Sequence, residues 1–173
     1  MKRDSLALCM TLVCGVCHAA EHAHVHGVAA LQIAVDGPVL TLSFESPLHN
    51  VLGFEHAPHT AKEKAAVAAL KARLEKADQL FVPAPAAKCS LASVKLDSPV
   101  FEARTGGAAG GDAHGDLDAE FGFRCERPDL LRSLEARLFD GFPNLKRLDV
   151  QIAAGSGTQA ATRLTGSERV VRW

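Results

Sequence analysis

The stretch that decides the fold is residues 25–45, VHGVAALQIAVDGPVLTLSFE, in which apolar and polar residues alternate on both sides of an Asp-Gly pair. Alternation with a period of two is typical of a β-strand that buries one face. An Asp-Gly pair between two such runs favours a tight antiparallel hairpin, and Pro38 is tolerated at the start of the second strand. The predicted inward-facing side chains of this hairpin are Val25, Leu31, Ile33, Val35, Leu40, Leu42 and Phe44.

One long helix is predicted after the hairpin, from about Ala61 to Ala77. Thr60 and Glu63 have the spacing of a capping box, in which each side chain bonds the backbone N–H of the other residue. The apolar residues that follow fall on one stripe of a helix, namely Val67, Leu70, Leu74 and Ala77. This stripe is expected to cover one side of the sheet.

Five later segments are expected to be strands, namely residues 89–96, 117–126, 147–152, 159–164 and 168–173. Residues 130–138 fit either a short second helix or a further strand, and the glycine-rich residues 104–116 are expected to form a mobile loop. Strands joined by hairpins and accompanied by one helix predict an α+β fold. Its expected parts are a mainly antiparallel sheet, one long amphipathic helix and a short second helical segment.

Residues 1–20 have the pattern of a secretory signal peptide. Two basic residues precede an apolar run at residues 6–16, and small residues suit cleavage near Ala19 or Ala20. The apolar run is too short to span a bilayer. The sequence therefore predicts an exported protein without a membrane anchor, in which residues 21–173 form a single domain.

Cys89 and Cys125 are the two of five cysteines that remain after removal of this segment. An even pair in an oxidising compartment is most simply one disulfide, although two unpaired buried cysteines are the alternative. Cys125 lies on the apolar side of the alternating run 117–126, so the bond would join two strands on either side of the glycine-rich loop. Closing a loop of that length typically stabilises a fold by about 3–4 kcal/mol.

The charge balance argues against a nucleic-acid partner. The full chain has 19 Lys and Arg, 20 Asp and Glu, and a formal net charge of −1. The first 20 residues carry a net +1, so the mature chain has −1 minus +1, or −2. Phosphate binding requires concentrated positive charge, which this chain lacks. The remaining 153 of 173 residues are enough for an ordinary hydrophobic core.

Three histidines stand at alternate positions in the stretch EHAHVHG, residues 21–27. Neutral imidazole is the commonest side-chain ligand of zinc, copper and nickel, so the stretch indicates metal binding. Alternate residues of a strand lie about 6.6 Å apart, which lets two imidazoles share one ion, whereas His22 and His26 would be about 13 Å apart. His24 and His26 are therefore the preferred pair, and a polar N-terminus is the plain alternative.

Further ligands must come from elsewhere in the chain, and the candidates are His49, His56 and His59, with Glu21, Glu55 or water completing the set. Histidines bonded to the backbone of a loop are the plain alternative for His56 and His59. His114 lies between two aspartates in the glycine-rich loop, as a solvated tip or a weak ion scavenger. A donor set of nitrogen and oxygen without thiolate suits zinc, and also copper(II) or nickel(II).

Several motifs together resemble the ZrgA-like family of exported bacterial proteins, which are linked to zinc binding and zinc uptake. They are His24 to Gly27 (HVHG), Glu45 to Pro47 (ESP), Gly53 to Pro58 (GFEHAP), Phe123 to Cys125 (FRC) and the segment from Phe139 to Pro143. The resemblance covers nearly the whole mature chain. It implies a periplasmic protein that binds Zn2+ and assists zinc acquisition or storage, with an ABC-type zinc importer as a candidate partner.

The resemblance carries over His24, His26 and His56 as candidate ligands, on the two most specific motifs. One departure is the central insertion, which is often longer and rich in histidines and acids in the family. Here it is reduced to a glycine-rich loop with the single histidine His114.

Two other functions fit parts of the sequence. Cleavage after Ala19 would make His22 the third residue of the mature chain, an arrangement that chelates copper(II) or nickel(II). A zinc-dependent hydrolase is the other alternative, because a histidine site with an open position can activate water. The chain has neither a nucleophile elbow nor a zincin helix, and Glu55 is its one evident carboxylate base. The sequence therefore favours a binding protein over an enzyme.

Overall fold

The computed structural model describes residues 25–101, 115–155 and 157–173. The predicted signal peptide with its cleavage site lies outside these residues, as do His22, His24 and His114. Most of the predicted glycine-rich loop also lies outside them. Among the described residues, no helix has the length and apolar character that crossing a membrane would require.

Nine strands form two sheets within the described residues. The strands are β1 Val28–Asp36, β2 Val39–Pro47, β3 Phe81–Pro83, β4 Cys89–Asp97, β5 Asp116–Cys125, β6 Ser133–Ala136, β7 Arg147–Ala154, β8 Thr158–Thr165 and β9 Val170–Arg172. The larger sheet has six strands in the order β4-β5-β2-β1-β7-β8, and the smaller has three in the order β3-β6-β9. Neighbouring strands are antiparallel except β1 and β7, which are parallel. The predicted hairpin of β1 and β2 is confirmed, with Asp36 opposite Val39.

Four short helices accompany the sheets in the described part of the chain. They are α1 Leu48–Leu52, α2 Ala61–Leu74, α3 Ala77–Leu80 and α4 Leu138–Gly141. The predicted capping box at the start of α2 is confirmed, because the Thr60 hydroxyl accepts the N–H of Glu63 and the Glu63 carboxylate accepts the N–H of Thr60. The helix is shorter than predicted: it ends at Leu74, since the backbone leaves the helical conformation at Lys76.

The predicted α+β fold class with one long helix is wrong. The described part of the chain is mostly β, with 47% of its residues in strands and 24% in helices. Of the two alternatives for residues 130–138, the short second helix is wrong and the strand is present in part, because the segment forms a 3-10 turn, strand β6 and the start of α4. The difference has a physical reason: strands of three or four residues, such as β3 and β6, are too short to show a clear period of two. The sequence predicted β9 within 168–173 and left a strand open at β6, but their pairing with β3 depends on distant partners, so the second sheet itself was not predicted.

The hydrophobic core lies where the inward face of the large sheet meets α2 and the small sheet. Large side chains buried in this core include Leu31, Ile33, Leu42, Phe44, Leu74, Phe81, Phe121, Phe123 and Leu148. Phe81 from β3 packs against Phe44 and Phe121 of the large sheet, at ring-centroid distances of 6.1 and 5.4 Å. Full burial of each such side chain is typically worth about 1.5–3 kcal/mol.

Cys89 and Cys125 face each other across β4 and β5 and form a disulfide, as predicted. The bond closes the chain around the segment between the two strands. Two predictions about strand limits need correction. Val25 does not continue β1 and is half exposed, at 53%. Asp116 belongs to β5 and not to the preceding loop.

Candidate metal site

Gly27 lies immediately before β1 and turns the chain directly after His26. Its φ is +84°, in the left-handed region that favours glycine. The carbonyl of Gly27 accepts the N–H groups of Lys146 and Arg147 at 2.8 and 2.9 Å, at the start of β7. Residues 26 and 27 form a turn, so His26 does not continue β1 as an extended strand, although the alternating pattern had predicted that it would.

The turn brings His26 beside Glu55 and His49. The His26 Nε2 atom lies 2.9 Å from Oε1 of Glu55. The imidazole of His49, from α1, stacks on that of His26 with ring centroids 4.4 Å apart and an interplanar angle of 19°. Gly53, at φ +85°, ends α1 in a left-handed cap and lets the chain double back to Glu55.

The hydrogen bond to Glu55 decides which nitrogen of His26 is available. A carboxylate only accepts hydrogen bonds, so Nε2 must carry the proton and Nδ1 must hold the lone pair. A histidine whose second nitrogen donates to a carboxylate is the common arrangement around protein-bound zinc. The side chain of His26 is 58% exposed, so its ring is open to solvent, whereas that of Glu55 is 17% exposed.

His56 and His59 form a second pair at the entrance to α2. Their rings stack at a centroid distance of 5.6 Å. The ring of Phe54 also stacks on that of His56, at a centroid distance of 5.0 Å. The Nδ1 of His56 donates to the carbonyl of Ala57 at 2.9 Å, which leaves the lone pair on Nε2. That nitrogen lies 4.0 Å from Oε1 of Glu63.

Glu63 is engaged as the cap of α2. Its Oε2 accepts the N–H groups of His59 and Thr60 at 2.8 and 2.9 Å. The backbone hydrogen bonds from Thr60 and then His59 lower the pKa of this carboxyl below its ordinary value. Binding a metal through Glu63 would therefore compete with the helix cap.

The structure thus divides the predicted ligands into two groups. His26 and His49 share one group with Glu55, and His56 and His59 share the other with Glu63. Within the described ranges, no three His, Cys, Asp or Glu side chains already have metal-binding geometry. The lone pair of an imidazole nitrogen lies in the plane of its ring, so the lone pairs of two stacked rings do not converge on one ion. One ring of each pair must rotate before both can reach one ion at about 2.0–2.1 Å.

Acidic residues stand in a row next to the start of β1. Glu45 on β2 and Asp97 on β4 both lie opposite Asp118 on β5. Partial removal from water, followed by the charges of Glu45 and Asp97, raises the pKa of the Asp118 carboxyl. Glu45 and Asp118 also line a cleft of about 380 Å3 on the open face of the large sheet, which extends to Val25.

Two asparagines that sequence reasoning missed hold the backbone of this region. Asn50 is 1% exposed and bonds Gly27, Val28 and Ser46. Asn144 donates to the carbonyl of His49 at 3.1 Å. The sequence offered only a weak indication of their role, because each is simply a polar residue among the apolar residues of a short segment.

Imidazoles next to carboxylates are the donors typical of the class of proteins that bind divalent transition metals. Comparison with known families makes the assignment specific. Residues 23–173 match the family described as ZrgA family zinc uptake protein, and this chain belongs to that family. The resemblance seen in the sequence is confirmed, and with it a role in zinc uptake. No curated protein matches the chain.

Proposed function

We propose that the mature protein is a periplasmic zinc-binding protein that captures Zn2+ and assists its acquisition, with His26 and His49 at the centre of the binding site. The observation that carries this proposal is the meeting of His26, His49 and Glu55, which come from three separate segments. Family membership supplies the role in zinc uptake. A binding function is also the simplest account of a family named for uptake.

His26 would bind through Nδ1 while Glu55 holds Nε2 from behind. The carboxylate fixes the tautomer of the ring and makes the imidazole a stronger donor. His49 would supply the second nitrogen by rotating out of the stack. His49 is half-buried and not part of the hydrophobic core, which is compatible with that rotation.

His24 is the preferred third ligand, because it lies two residues before His26 in the chain. Water would complete a tetrahedral set, and His22 is a further candidate. This arrangement keeps one exchangeable position, which suits a protein that releases its ion to an importer of the ABC type. A site closed by four protein ligands is more typical of structural zinc.

His56 and His59 form an auxiliary pair in this proposal. The carboxylate that the structure places beside this pair is Glu63, which already accepts two backbone N–H groups as the cap of α2. Two imidazoles without a third ligand bind zinc weakly. The pair would hold ions in passing and is not the main site.

Zinc binding by the purified mature protein tests the proposal. Element analysis of protein prepared without an affinity tag, followed by competition with a chromophoric chelator, should give about one zinc ion per chain. The double variant His26→Gln/His49→Gln should lose this ion. The matched control His56→Gln/His59→Gln should keep it, and the opposite result would move the main site to the start of α2. Zinc retained by both double variants would refute the proposal.

The same titration identifies the metal and its pH dependence. Copper(II) and nickel(II) accept the same donors, so each ion is titrated in parallel, and mass spectrometry of the mature N-terminus locates His22. An imidazole binds metal only when unprotonated, and ordinary imidazole protonates near pH 6.5. Affinity should therefore fall steeply below about pH 6.5.

A further inference from the structure

Asn50 is a buried amide that joins the two segments carrying His26 and His49. It lies one residue after His49 in α1 and is 1% exposed. Its Oδ1 accepts the N–H of Gly27 at 2.6 Å, and its Nδ2 donates to the carbonyl of Val28 at 2.8 Å. Nδ2 also donates to Oγ of Ser46 at 3.1 Å. One side chain thus bonds the backbone just after His26 and the strand before α1.

The hydrogen bonds fix the orientation of the amide. A backbone N–H only donates and a backbone carbonyl only accepts, so the side chain between Gly27 and Val28 must offer an acceptor and a donor together. An amide does this at the length of Asn. An aspartate of the same shape offers acceptors alone, and its charge would face the Val28 carbonyl.

The contacts of Gly27 turn this anchor into a constraint on His26. Asn50 holds the N–H of Gly27, while Lys146 and Arg147 hold its carbonyl from the side of β7. A side chain at this position would be strained at φ +84° and would press on Lys146. The backbone that leaves His26 is therefore held from both sides.

His49 is held in the same unit. It precedes Asn50 in α1, and its carbonyl accepts hydrogen bonds from Asn144 and from the N–H of Gly53. The 4.4 Å stacking of the His26 and His49 rings thus rests on a backbone bridge with Asn50 at its centre.

We infer that Asn50 is a positioning residue for zinc, which sets the spacing of His26 and His49 without contacting the ion. This inference rests on the proposed function of that histidine pair. Residues that orient metal ligands from outside typically change metal affinity by about 10- to 100-fold when substituted. We expect a loss in that range for Asn50→Asp and Asn50→Ala.

The experiment compares these variants with Ile152→Ala. Ile152 is buried in β7 opposite Ile33, about 20 Å along the sheet from Gly27, so its truncation destabilises the fold without touching the histidines. Zinc affinity is measured by chelator competition well below the unfolding temperature of every variant. A merely structural role for Asn50 would leave the affinity of the folded protein unchanged, as in Ile152→Ala.

A second readout uses the metal-free protein. Nuclear Overhauser contacts between the rings of His26 and His49, and the nitrogen shifts that report their tautomers, should be lost in the Asn50 variants and retained in Ile152→Ala. Failure of the wild type to bind zinc would refute the proposed function, while the ring contacts would still judge the role of Asn50.

Wild-type affinity and unchanged ring contacts in Asn50→Asp would overturn the inference. If neither Asn50 variant folds, Ser46→Ala and Asn144→Ala replace them. The first removes a hydrogen bond of the Asn50 amide, and the second removes the side-chain hydrogen bond to the carbonyl of His49. Both should weaken zinc binding in the same direction, by less than Asn50→Asp. Unchanged affinity in both would equally overturn the inference.

Discussion

The Nε2 atom of His26 lies 2.9 Å from Oε1 of Glu55, although the two residues are 29 positions apart. In the proposed site, this pair makes Glu55 the hydrogen-bond partner of the ligand His26 and not simply a further ligand. Its geometry leaves the lone pair of His26 on Nδ1, the atom that would bind the metal, and it couples the residues before β1 to the segment after α1. The consequences can be measured in zinc affinity and in stability.

Glu55→Gln should weaken zinc binding by about tenfold, because the amide can still accept a hydrogen bond from His26 but no longer supplies the negative charge that strengthens the imidazole as a donor. Chelator competition at neutral pH measures the change. Glu120→Gln is the matched control, since Glu120 pairs with Lys95 on the surface of β5. Equal affinities for wild type and Glu55→Gln would contradict the role given to this carboxylate.

Gly115→Ala should disturb the site from behind. A Cβ atom at Gly115 would lie 2.6 Å from Cδ1 of Leu48 and 2.9 Å from the carbonyl oxygen of Glu55. The side chain of Leu48 is fully buried and cannot easily move aside, and the Glu55 atom is part of the backbone. We therefore expect the backbone of Glu55 to shift. We expect lower stability, by about 1–3 kcal/mol, together with weaker zinc binding. Gly166→Ala is the control, because a Cβ atom there meets nothing within 4 Å. Unchanged stability and unchanged zinc affinity in Gly115→Ala would contradict this prediction.

Thr60→Ala should cost about 1 kcal/mol of stability at neutral pH through loss of the cap of α2, whereas Thr60→Ser should keep it. The same cap predicts a pH dependence. The pKa of Glu63 is lowered in the folded protein, so its stabilisation is present above the ordinary carboxyl value of 4.5 and is lost as pH falls through the lowered value. Urea unfolding at several pH values measures both effects. A wild-type midpoint for Thr60→Ala would contradict the prediction.

Asp118→Asn should raise stability at neutral pH. Desolvation and the facing charges of Glu45 and Asp97 raise the pKa of Asp118, so the protonated form is favoured on folding and stability is lost as pH rises through the raised value. The amide removes that repulsion, with a gain of no more than about 0.5 kcal/mol after solvent screening.

The gain should vanish below the ordinary aspartate value of 3.8. Thermal unfolding of Asp118→Asn and of the exposed control Asp129→Asn across this range provides the measurement. A gain that persists at low pH would point to packing and not to charge.

Much of the scaffold could be predicted from local pattern. The Asp36–Gly37 turn, the alternation along β5 and the Thr60–Glu63 box all depend on residues within a few positions of one another, and the structure confirms each. The fold class could not be predicted this way, because β3 and β6 are too short for a clear period and gain their stability from pairing with each other and with the predicted strand β9.

The site shows the same division. Composition and spacing alone determined that this chain carries imidazoles at His26, His49, His56 and His59, and that these donors suit a divalent metal. Only the tertiary structure decided that His26 meets His49 and Glu55, whereas His56 and His59, three positions apart, stack on each other locally. The reason is that such contacts depend on the left-handed turns at Gly27 and Gly53 and on the buried amide of Asn50, which join segments more than 20 positions apart. Local sequence specifies which donors are present, and long-range packing specifies which of them can share an ion.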